Sequence, residues 1–171
     1  LLGPEMRSTG EVLGLSESYG EAFYKAQEAV QSKLPLSGTV LISVNRKDKA
    51  EVVEVAKLFH ENNFRIIATE GTCQLINEAG IPAEKVKKLC EGRPNVLDEI
   101  TNGKVDIIVN SPVGKDSVYD DSYLRKAAIK GRIPYCTTMA AAMAAATGIH
   151  AVNNLDGGKI ASLQELHSRI K

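Results

Sequence analysis

Apolar residues along this chain fall into two alternating patterns, short continuous runs and one-sided helical repeats. The first run, residues 39–44, is rich in β-branched side chains and lies between Gly38 and Asn45-Arg46-Lys47. A helical period follows, with Val52, Val55, Ala56 and Phe59 on one face behind Asp48 as cap. Residues 64–68 read as strand again. The turn Thr69-Glu70-Gly71-Thr72 then leads into a helix carrying Leu75 and Ile76, which stops at Gly80 with Pro82 just beyond. Residues 86–89 read as a weaker strand, 96–100 as a short helix closed by Asn102-Gly103, and 105–109 as the clearest strand. A helix over about 121–130, a strand at 135–137, an alanine-rich helix at 139–146 and a last helix from a Ser162/Glu165 cap to Lys171 complete the series. Near-continuous apolar strands alternating with helices predict a doubly wound α/β domain, a parallel sheet covered on both faces.

Residues 1–36 do not join this alternation. They hold a loop over 6–11 and a helix signal, Ser18 with Glu21 as a capping box and Phe23, Ala26 and Val30 behind it. That helix is expected to end near Lys33, because Leu34-Pro35 turns the backbone away from helix. One helix builds no core, so it must pack on the following domain or on something preceding it. The chain opens on Leu1-Leu2 without a methionine, which suggests a fragment of a longer polypeptide.

Composition narrows the function classes. Twenty-one basic residues balance twenty-one acidic ones, so nucleic-acid binding has no support. No apolar stretch approaches the roughly 18 residues of a membrane span, and no signal peptide is visible. Cys73, Cys90 and Cys136 are odd in number and lack metal-ligand spacing, which reads as reduced structural thiols in a cytoplasmic protein.

In an open parallel sheet, ligands bind beyond the carboxyl ends of the strands. That edge gathers Asn45, Arg46 and Lys49 after the first strand and Thr69 to Thr72 after the second. Lys88 and Arg93 follow the third, Asn110-Ser111 the fourth and Thr137-Thr138 the fifth. Hydroxyls, amides and lysines in this pattern suit an anion. Thr69 and Thr72 flank a glycine at a helix start, where free N–H groups can converge on a phosphate, and Lys49 and Lys88 supply compensating charge. The turn is neither a P-loop nor a dinucleotide fingerprint. His60, His150 and His167 stand far in sequence from the strand ends, and no nucleophile, paired-carboxylate or metal motif appears, so no catalytic or metal residues are assigned.

Thr69-Glu70-Gly71-Thr72, Glu91-Gly92-Arg93-Pro94-Asn95, Ile108-Val109-Asn110-Ser111-Pro112 and Tyr135-Cys136-Thr137-Thr138, in that order, resemble the methylglyoxal-synthase-like regulatory domain of the carbamoyl-phosphate synthetase large subunit. Residues 6–11 and 21–26 resemble the end of that subunit's second ATP-grasp half. The resemblance covers essentially the whole chain. It implies a three-layer α/β/α domain over 37–171 with a five-stranded parallel sheet, preceded over 1–36 by the ATP-grasp tail and a linker. It also implies allosteric binding of UMP or IMP, with Ser43, Lys49, Thr69, Thr72 and Lys88 holding phosphate and ribose, Asn110 contacting the base and Thr137 at an ornithine-contact position. Where some relatives carry a second hydroxyl, Pro112 offers no side-chain hydrogen bond. The implied partners are the rest of the large subunit and a glutamine amidotransferase small subunit, with room for contacts between copies. The fragment itself is expected to need no cofactor, whereas the full subunit uses ATP with Mg or Mn to make carbamoyl phosphate for pyrimidine and arginine synthesis.

Two other readings exist. Methylglyoxal synthase shares the glycine-threonine turn but needs an aspartate base where Arg93 stands, and arginine stays protonated. Its histidine after the first strand is replaced by Asn45-Arg46. A purely structural or oligomerisation module needs no ligand at all.

Overall fold

The computed structural model describes residues 10–30, 32–111, 115–154 and 161–169. Five parallel strands form one sheet in the order β3-β2-β1-β4-β5. They are β1 (Gly38–Val44), β2 (Phe64–Thr69), β3 (Ala83–Val86), β4 (Ile107–Ser111) and β5 (Tyr135–Cys136). The helices are α1 (Tyr19–Ala29), α2 (Lys49–Glu61), α3 (Glu70–Glu78), α4 (Val96–Thr101), α5 (Lys115–Gly131), α6 (Met139–Asn154) and α7 (Leu163–Ser168).

Alternation along the strands sends successive side chains to opposite faces and so makes two cores. Val40, Ile42, Ile66, Ala68, Ile107 and Val109 pack with α1, α2, α3 and α6. Leu41, Ile67 and Ile108 pack with Val96 and Ile100 of α4 and Leu124 and Ala128 of α5. The expected α2 face, Val52, Val55, Ala56 and Phe59, is fully buried. The chain thus forms the three layers anticipated from its pattern.

Several boundaries differ from the pattern's expectation. The weak strand lies at Ala83–Val86, not at 86–89, where Leu89–Glu91 form a 3-10 turn. Its position is set by a side chain rather than by an apolar run. Asn77 of α3 donates to the Ala83 carbonyl at 3.0 Å and accepts its N–H at 2.9 Å, which seats this edge strand beside β2. The fourth strand begins two residues later than expected, because Asp106 serves as an anchor before it. The Asp106 carboxylate accepts the Thr39 N–H at 2.7 Å. Helices α5 and α6 outrun the apolar signals that marked them, and α7 ends at Ser168.

Helix α1 ends at Ala29 rather than near Lys33, closed by the Val30 N–H on the Ala26 carbonyl. Ser18 does cap it, accepting the Glu21 N–H. Glu21 does not return the bond; its carboxylate takes the Ser16 hydroxyl and pairs with Lys25 at 2.8 Å. This helix packs on α6 through small residues. A Cβ at Gly20 would stand 2.7 Å from the Thr147 carbonyl oxygen, and one at Gly148 3.1 Å from that of Gly20. Tyr24, buried on the same face, donates its hydroxyl to the Leu34 carbonyl at 3.3 Å.

Cys73 and Cys136 are buried, whereas Cys90 is exposed on the 3-10 turn. Burial pushes the Cys136 thiol up to about 11, and desolvation raises Cys73 as well. Thiolates, not thiols, react with alkylating agents. Brief iodoacetamide treatment at pH 8 should therefore add one label, at Cys90, with Cys73 and Cys136 reacting only after denaturant. Peptide mass spectrometry checks this; rapid labelling of Cys136 would contradict it.

Candidate functional site

The sheet reverses its winding between β1 and β4, and the crevice outside their carboxyl ends is where the topology favours a ligand. Asn110 stands opposite Ser43 in the β1–β4 register. Ile42 stands opposite Ala68, so Thr69 follows in step with Ser43, and the Thr69 hydroxyl donates to Ser43 Oγ at 3.4 Å. Thr69, Ser43 and Asn110 thus form a polar row where the α4/α5-side apolar core gives out.

Two helix N-termini adjoin this row, and both lack a side-chain cap. The sequence places Thr69-Glu70-Gly71-Thr72 as a turn, but helix α3 already begins at Glu70, so Gly71 and Thr72 belong to its first turn. Thr69 occupies the N-cap position without making a capping bond, its hydroxyl being directed to Ser43. Asp48, expected to cap α2, instead takes the Asn45 amide at 2.6 Å and leaves α2 uncapped too. By contrast α4 and α7 are closed by full capping boxes, from Asn95 and Ser162. Unsatisfied first-turn amides and the helix dipole favour an anion.

Lys49, the first residue of α2, reaches over α3: its Nζ lies 3.3 Å from where a Cβ on Gly71 would stand. Among the described residues this ammonium has no ion-pair partner. Thr72 is buried, and its hydroxyl accepts the Val44 N–H at 3.5 Å, so it helps hold the end of β1. Asn45 closes the other flank, donating to Ser111 Oγ at 3.1 Å and to the Ser111 carbonyl at 3.2 Å.

These distances make Gly71 informative. Alanine fits its helical backbone and should raise stability by up to about 1 kcal/mol. The added methyl crowds the Lys49 ammonium, so anion affinity should fall by roughly fivefold while thermal stability holds or rises. Differential scanning calorimetry and a binding titration on Gly71→Ala check the pair of effects.

Asn110 does not stand alone. Its amide donates to Asp121 Oδ1 at 2.9 Å and to the Tyr135 hydroxyl at 2.7 Å. Tyr135 donates to Asp121 Oδ1 at 2.6 Å, and Arg125 donates to Asp121 Oδ2 at 2.8 Å while lying 5.5 Å from the Tyr135 ring centroid. Burial, reinforced by the Asp121 carboxylate, raises the Tyr135 phenol far above its usual range. Sequence reasoning missed Asp121, Arg125 and Tyr135 as a group, because only the β4-α5-β5 crossover brings them together. Their one local trace is the Asp121/Arg125 spacing of four on a helix.

The remaining positions lie nearer the margin. Lys88 is exposed two residues beyond β3, close enough to add to the pull that Lys85 exerts in lowering the Glu70 carboxyl. Thr137 is exposed one residue beyond β5, and its neighbour Thr138 caps α6 by accepting the Ala141 N–H at 3.1 Å. Pro112 lies outside the described residues. Arg93 points away, its Nε 2.9 and 3.2 Å from the two oxygens of Asp98. That guanidinium, with the Asn95 N–H, holds the Asp98 carboxyl below its ordinary range, so Asp98 is ionised and engaged rather than poised as a base. A separate shallow groove of about 270 Å³ lies between β2, β3 and α4, lined by charged residues including Arg65, Glu84, Glu99 and Lys104. Its charges are largely paired with one another, Arg65 with Glu84 and Lys104 with Glu99. No helix in the described residues is long and apolar enough to cross a membrane.

Comparison with known proteins agrees with this architecture. Residues 51–137 match the family model described as the MGS-like domain. The chain is 51% identical over 151 residues to a carbamoyl phosphate synthase large chain from Acidobacterium capsulatum, covering 88% of this chain and 14% of that one. It is 46% identical over its full length to the large chain from Methanothrix thermoacetophila, covering 16% of that protein. Against the C-terminal section of the large chain from Aquifex aeolicus it is 42% identical, covering 98% of this chain and 32% of that section. The chain therefore spans from about a seventh to a third of the length of these relatives. In fold it resembles the crystal structure of methylglyoxal synthase from Elizabethkingia anophelis NUHP1, with a TM-score of 0.52 and 16% identity over 81% of this chain and 95% of that one. The chain belongs to the MGS-like domain family, and the relatives it resembles at 42–51% identity are carbamoyl phosphate synthase large chains.

Proposed function

We propose that this domain is an allosteric sensor that binds a nucleoside monophosphate of the UMP or IMP type. The observation that carries the reading is the uncapped N-terminus of α3 with the Lys49 ammonium standing over Gly71. The phosphate sits against the Gly71 and Thr72 amides and Lys49, with Lys88 at its outer side. The sugar and base lie along the Thr69-Ser43-Asn110 row, and Thr137 borders the far end. Bound there, the nucleotide shifts ATP-dependent, Mg- or Mn-assisted carbamoyl phosphate synthesis elsewhere in a longer chain. In that chain, residues 1–36 close the preceding ATP-grasp half and a glutamine amidotransferase partner supplies ammonia. The names of the relatives and their greater length support this placement.

The test is calorimetric titration with UMP, IMP and the matching nucleosides. Saturable heat with the monophosphates and at least tenfold weaker binding of uridine and inosine is the expected result. No heat with any of them leaves a structural module. Incubation with dihydroxyacetone phosphate should yield no methylglyoxal, since Arg93 is ion-paired to Asp98 and neither is a free base.

A further inference from the structure

We propose that Asn110 meets the ligand only as a hydrogen-bond acceptor, so that the site selects a ligand group able to donate there. This deepens the nucleotide reading and rests on it. Asp121, when ionised, accepts hydrogen bonds and gives none. The Asn110 amide must therefore turn its nitrogen, not its oxygen, toward Asp121 Oδ1, 2.9 Å away. The second amide hydrogen goes to the Tyr135 oxygen at 2.7 Å, and the Tyr135 proton is itself directed to Asp121 at 2.6 Å. Burial keeps that phenol protonated, and the Arg125 guanidinium balances the carboxylate from its other oxygen. Both donors of Asn110 are thus committed behind it.

Asn110 Oδ1 accepts no hydrogen bond among the described residues, and no buried side-chain oxygen or nitrogen among them lacks a partner. The oxygen is the one polar atom of the amide not committed to this network, and it belongs to the strand position beside Ser43. A carbonyl or ring nitrogen brought there finds two lone pairs opposed. An imide N–H of a base or a hydroxyl of a ribose finds an acceptor. Asp121 and Tyr135 act as positioning residues that fix this polarity from outside the ligand's reach.

The experiment titrates the intact chain by calorimetry with UMP, 3-methyl-UMP, 2′-deoxy-UMP and 3′-deoxy-UMP. Removing the one donor that faces Asn110 should weaken binding by about tenfold or more, and which analogue loses identifies base or sugar as the source. In Asp121→Asn the new amide can donate to Asn110 Oδ1 and let it turn, so the discrimination against that analogue should shrink to within about twofold. In Tyr135→Phe, Asp121 still holds the amide nitrogen and the discrimination should persist. A merely structural role would lower all affinities together and leave their ratios unchanged. UMP binding with all three analogues within about threefold of it overturns the proposal, with no variant needed. Unchanged discrimination in a folded Asp121→Asn chain overturns the positioning role. Absence of UMP binding overturns the nucleotide reading itself, and this inference with it.

Discussion

Gly38→Ala should destabilise the domain by about 3 kcal/mol through the addition of a single methyl group. Two causes add. Gly38 has a φ of 128°, a conformation that side-chain-bearing residues rarely adopt. A Cβ there would also lie 2.2 Å from Asp106 Oδ2 and 2.6 Å from its Cγ. Asp106 cannot simply swing aside, because its carboxylate accepts the Thr39 N–H at 2.7 Å and its own N–H is bonded to the Thr39 carbonyl at 2.9 Å. This clamp joins the start of the central strand β1 to the entry of its neighbour β4. For a chain of 171 residues the loss corresponds to a fall in Tm of roughly 10 °C. Comparing the double variant Gly38→Ala/Asp106→Ala with Asp106→Ala alone separates the causes: in that background the added methyl keeps the backbone strain and no longer meets the carboxylate. A Gly38→Ala chain that unfolds within about 0.5 kcal/mol of the parent in urea would show that the clamp yields.

Lys49→Ala should lower affinity for UMP about thirtyfold, the scale of losing a charge-assisted hydrogen bond of about 2 kcal/mol. Affinity for uridine should not change. Stability should stay within about 0.5 kcal/mol, since α2 is anchored by Val52, Val55, Ala56 and Phe59. Thr72→Val behaves differently, because Thr72 Oγ1 also serves the Val44 N–H; binding and stability fall together there. Comparing the two variants separates a phosphate contact from a structural one. Equal UMP affinity in Lys49→Ala and the parent would place the phosphate elsewhere.

These expectations draw on features that were unequally visible in the sequence. The central strands and α2 were legible because burial on both faces of a parallel sheet demands continuous apolar runs, and Val40 to Ile42 and Ile107 to Val109 supply them. The edge strand β3 was displaced, since of Ala83 to Val86 only Val86 is buried and Asn77 sets its register. The carboxyl-edge rule brought Lys49, Thr69 and Thr72 to one place and the resemblance added Ser43, and the distances put these four side chains close together. Hidden from the sequence was the arrangement behind Asn110. Asp121 reads there as an ordinary helix residue and Tyr135 as a strand residue, and only the crossover into β5 turns them into its support.

The central claim is a location as much as an affinity, and amide chemical shifts report location most directly. In a titration of the ¹⁵N-labelled chain with UMP followed by ¹H–¹⁵N correlation spectra, the Gly71, Thr72 and Lys49 amides should move most and saturate together with the calorimetric curve. Uridine at the same concentrations should leave them in place. Shifts centred instead on Arg65, Lys85 and Lys104, around the charged groove between β2, β3 and α4, would contradict the account.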